Sequence, residues 1–82
     1  MTSFAIVRYN RRTFQSGGVV AVVRGRAAAQ KLLLAFEGSQ GEEESHAGWS
    51  YFLEETDLAP GMEADKATRV RQARLDRLDS RF

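Results

Sequence analysis

His46 stands just after Glu42, Glu43 and Glu44, and an imidazole beside three carboxylates has the donor types to hold a divalent cation. The chain has no cysteine and no second histidine, and the cluster falls in residues 39–48 (SQGEEESHAG), which are polar and flanked by glycine. A metal site needs ligands held in place by packed elements. The segment therefore reads as a mobile acidic surface loop, and no metal is expected. Glu54 and Glu55 are paired carboxylates, but neighbouring residues of a strand point to opposite faces, which rules out a shared acid–base site. No serine or threonine has a positioned base with an orienting partner. Ser16-Gly17-Gly18 lacks the Gly-Lys-Ser/Thr ending of a phosphate loop and reads as a hairpin turn. No catalytic residue, cofactor or enzyme activity is expected.

The arginines carry more information. Arg24-Gly25-Arg26 opens a helical pattern, where unpaired N–H groups already give a partial positive charge; a negative group is expected there, either a phosphate or an acid of the same chain. Arg8, Arg11 and Arg12 are interleaved with Tyr9 and Phe14, a combination that can neutralise phosphates and stack bases of single-stranded nucleic acid, but the segment reads first as an exposed turn with Arg11 and Arg12 solvated and Phe14 facing the core. Lys66, Arg69, Arg77 and Arg81 follow one side of the last helical stretch, with Arg71 and Arg74 beside them. Such a face can lie along phosphates or simply be solvated, and Asp65 to Arg69 is an ordinary i,i+4 pair.

The charges fall into blocks of alternating sign. Residues 1–36 hold six basic side chains and no acid; residues 37–63 hold eight acids and no Lys or Arg; residues 64–82 turn basic again. The net charge of +1 hides this polarity, which bears on partners and steering rather than on fold.

Positioning these groups falls to a small domain. At 82 residues the chain is expected to be a single domain, 1–82, near the size at which only about 60% of the unfolded surface is buried, so self-association would add useful stability. Without cysteines no disulfide or thiolate site supplements the core, which fits a cytoplasmic protein. No apolar run exceeds the five residues of Val19–Val23, far short of the roughly 20 residues of a membrane span, and the N-terminus lacks the order of a signal peptide.

Ser3–Tyr9 alternates as a strand, and Val19–Arg24, apolar on both faces, reads as a second, buried strand forming a hairpin with the first. Residues 26–38 have helical spacing ending at Gly38, with Phe36 the side chain whose loss should hurt this helix most. Trp49–Glu54 alternates as a third strand, Pro60-Gly61 marks a turn, and 62–82 form a weakly amphipathic C-terminal helix with an apolar stripe of Val70, Leu75, Leu78 and Phe82.

The expected fold class is α+β: a small three-stranded sheet in β-β-α-β-α order, mixed through a crossover from the second to the third strand, with two helices packed on one face. The expected function is that of a small soluble protein-interaction or assembly module, self-associating or binding a protein partner. Its interface candidates are Leu75, Leu78 and Phe82, oriented by Arg71, Arg74 and Arg77. The alternative is a nucleic-acid-binding module using Arg8, Arg11, Arg12, Arg24 and Arg26, with Tyr9 and Phe14 as stacking residues. A third reading is an enzyme with an anion site built in an oligomer interface.

Overall fold

A computed structural model describes residues 2–79. The chain follows the expected order with one addition: β1 (Ser3–Asn10), β2 (Ser16–Arg24), α1 (Arg26–Ser39), α2 (Glu42–Ala47), β3 (Trp49–Thr56) and α3 (Ala64–Asp79). The strands form one sheet in the order β2-β1-β3. Both pairings of β1 are antiparallel, so the sheet is antiparallel throughout rather than mixed. The passage from β2 to β3 crosses over β1 and carries α1.

The hairpin turn is Asn10–Gln15, where the Asn10 amide donates to Gln15 O at 2.8 Å; Ser16-Gly17-Gly18, expected as the turn, belongs to β2. β2 is irregular there, with register shifts between Ile6 and Val7 and between Arg8 and Tyr9.

α1 and α3 lie on opposite faces of the sheet, not on one. On one face Ala5, Val7, Val19 and Val22 pack with Leu58 and with Ala67 of α3, flanked by Phe52, Met62 and Val70. Phe4 and Ile6 point to the other face, where Arg26 of α1 sits over the Phe4 ring and Phe36 stacks on Tyr51 with centroids 5.4 Å apart. A central strand apolar on both faces, as β1 is, requires a cover on each side.

In α1 the residue fully removed from water is Ala29, whereas Phe36 is half-buried and Leu34 is 66% exposed. The helix runs through Gly38 to Ser39 instead of stopping at that glycine. Residues 42–47, expected as loop, form the short helix α2. Three glutamates in its first turn suit the helix dipole, and Gly48, at φ 100°, closes it. Among the described residues no helix is long and apolar enough to cross a membrane.

Candidate functional site

Each of the four ion pairs among the described residues joins a basic block to the acidic middle of the chain. Arg8 Nη2 lies 3.6 Å from Glu44 Oε2, and Arg26 Nη2 lies 4.0 Å from Glu55 Oε1. Arg71 donates from Nε and Nη2 to the two oxygens of Glu54 at 2.8 and 3.1 Å, a bidentate pair that is half-buried. Arg74 Nη1 donates to Asp57 Oδ1. The blocks that alternate in sequence are thus neighbours in space. The negative group near the α1 N-terminus is Glu55, contributed by β3.

Three cation–π contacts hold the same arginines in place. The Arg8 guanidinium sits 4.0 Å from the Trp49 ring centre, Arg26 lies 5.1 Å from Phe4, and Arg71 lies 6.0 Å from Phe52. Tyr9, a candidate for base stacking, makes an edge contact with Phe52 at 5.3 Å.

Around Arg71 and Arg74 the end of β3 and the flank of α3 form an open cleft of about 380 Å³, lined among others by Glu54, Asp57, Leu58 and Leu75. Within it Glu54 pairs with Arg71 and Asp57 with Arg74, while Glu55, also on its wall, pairs with Arg26 outside it. The hydrogen bond and charge of Arg74 hold the Asp57 carboxyl below its ordinary value of 3.8. Because the folded-state value is lowered, the Arg74–Asp57 contact contributes above the unfolded pKa and is lost as pH falls through the folded one. A carbon-13 titration should place the Asp57 midpoint below 3.8 in the native protein and return it towards that value in Arg74→Ala. An unchanged midpoint in the variant would show that the pair does not form in solution.

The remaining candidates divide. Arg11, Arg12 and Arg24 are exposed, with no acidic partner among the described residues, and Phe14 is 88% exposed at the hairpin tip. Leu75 and Leu78 stand 37% and 50% exposed on α3. Arg77 is on the same helix and engaged. Phe82 and Arg81 lie outside the described residues. His46 and the three glutamates sit on α2, and no group of acids and histidine able to hold a metal is found among the described residues.

Asn10 is a structural residue that spacing alone did not single out. It is 4% exposed; its Oδ1 accepts from the amides of Arg12 and Thr13 at 2.9 and 3.0 Å, and its Nδ2 donates to Ala47 O at 3.0 Å. One side chain therefore shapes the hairpin turn and anchors the end of α2. The legible signal was an asparagine at the start of a turn, a position where its side chain commonly bonds to nearby backbone.

No family model, no curated protein and no solved structure matches the chain. Function therefore rests on the chain's own residues.

Proposed function

We propose that the protein is a small protein-interaction module that works by self-association. One observation carries this reading: apolar side chains on both long helices, Leu34 on α1 and Leu75 and Leu78 on α3, stay exposed, while Arg8, Arg26, Arg71 and Arg74 are taken up by acids of the same chain. Four arginines held by internal acids are less available to a polyanion, and exposed apolar groups gain by burial against a partner at about 25 cal/mol per Å². Sedimentation of the full chain over a wide concentration range tests it. The expected result is a mass rising to a multiple of the chain mass and persisting in high salt; a monomer throughout would overturn the reading.

A second reading is favoured by the hairpin tip, where the exposed Phe14 follows the unpaired Arg11 and Arg12. An aromatic ring beside two cations is the equipment for single-stranded nucleic acid. Binding of a labelled single-stranded oligonucleotide that falls steeply with salt and is abolished by Arg11→Ala with Arg12→Ala would promote it. Absence of binding at low salt would dismiss it.

A further inference from the structure

The two outer edges of the sheet are treated differently. On β2 outward groups at the middle of the strand are met from the connector and α3: Thr68 Oγ1 accepts from Val19 N at 2.9 Å, and Gly61 N donates to Val22 O at 2.8 Å. On β3 the outward groups follow from the register. Gly48 O accepts from Arg11 N, so Gly48 faces β1; the alternation then turns Trp49, Tyr51, Leu53 and Glu55 outward, and Gln40 Nε2 duly reaches Trp49 O from outside at 2.8 Å. No hydrogen bond from the described residues reaches the outward N–H and C=O groups of Tyr51, Leu53 and Glu55.

We infer that this edge pairs with a second copy of the chain, joining two sheets into one continuous six-stranded sheet. The inference rests on the self-association reading and assigns its surface. A two-fold axis through Leu53 sets Leu53 against Leu53 of the second copy and Tyr51 against its Glu55. Every outward N–H of these residues then meets an outward C=O, and the ladder ends where Gln40 already occupies Trp49 O. Centring on Tyr51 would collide with that occupied carbonyl, and centring on Glu55 would set like charges face to face. In the Leu53 register no acid faces an acid. Glu54 instead lies opposite Phe52 of the second copy, whose ring carries the Arg71 guanidinium.

The same axis brings the α1 helices together. Leu32, Ala35, Phe36 and Ser39 line a shallow, largely apolar groove of about 310 Å³, and because Phe36 stacks on Tyr51 the groove lies on the β3 side of the sheet. A perpendicular two-fold keeps both α1 helices on one face, so the grooves meet above the new strand pair. An unpaired edge beside an apolar helix flank thus offers the second copy backbone bonds and buried area together.

Sedimentation combined with amide hydrogen exchange of the full chain, at low and high concentration, tests the assignment. The expected result is association accompanied by slowing of the Tyr51, Leu53 and Glu55 amides on the order of tenfold or more, while the Phe52 and Glu54 amides, already bonded to β1, change little. Ala35→Arg, at an exposed helix position, should abolish the association and the slowing while leaving the circular dichroism intact. Ala73→Arg, at an exposed position of α3 on the other face of the sheet, should leave both unchanged. Association without slowing at these three amides, or association lost in the α3 variant and kept in Ala35→Arg, overturns the β3 assignment and leaves self-association standing. A monomer at every concentration overturns both.

Discussion

Ile6→Ala is expected to cost about 2–5 kcal/mol of unfolding free energy, among the largest effects of any single truncation. Ile6 is fully buried and, with Val7, is the largest side chain so enclosed. It sits on the central strand, between Ala21 of β2 and Leu53 of β3. Hydrogen-bonded ladders on both sides hold its backbone, so the wall cannot move inward to fill the space left by the lost carbons. A domain of this length has roughly 4–12 kcal/mol of stability in total, so the variant gives up a large share of it. Urea unfolding should show a much lower midpoint with an unchanged slope. Leu34→Ala, at a position 66% exposed, should barely shift it. Equal midpoints for the two variants would mean that the face beneath α1 is not a packed layer.

Gly18→Ala is the second large effect, expected at about 3 kcal/mol, and its cause is backbone rather than packing loss. Gly18 has φ 83°, a region that side chains make costly, and a Cβ there would stand 2.8 Å from Thr68 Oγ1 and 2.9 Å from its Cγ2. The intrusion would push α3 off β2 just where Thr68 accepts from the Val19 amide and donates to Ala64 O. A double-mutant cycle separates the two components: in a Thr68→Ala background the glycine substitution should cost less, because only the strain of the positive φ remains. Additive costs would show that the Cβ meets no obstacle.

That close approach also explains where sequence patterning succeeded and where it failed. Strand periodicity located β1 to within a residue and β3 nearly as well, since alternation over Ser3–Tyr9 and Trp49–Glu54 has no competing helical reading. Ser16-Gly17-Gly18 was misread because positive φ is the signature of a turn, and here the same freedom serves an irregular strand against which a helix packs closely. The docking face of α3 was hidden for a related reason. A helix pressed against backbone uses small residues, Ala67 and Thr68, while the leucines that drew attention lie farther along it and stay exposed. The opposite placement of the helices was legible in principle, because β1 offers Phe4 and Ile6 on one face and Ala5 and Val7 on the other.

For the candidate site, sequence showed that opposite charges were segregated but not which would meet. The pairs Arg71–Glu54 and Arg74–Asp57 depend on where α3 crosses the sheet, a tertiary fact with no local signal. The helix in the acidic segment carried its own signals, three glutamates at the start and a glycine at the end, outweighed by its polar, glycine-flanked composition with no apolar face to pack.

The central position of β1 has a consequence for the order of assembly. During synthesis the first hairpin emerges well before β3, so β1 waits with one edge unpaired and the apolar side chains on both its faces uncovered until the crossover has been made. The fold closes only when its first strand captures its last, a long-range step that local structure cannot replace. The interval before that capture is when the nascent chain is most open to joining a neighbour by the wrong edge.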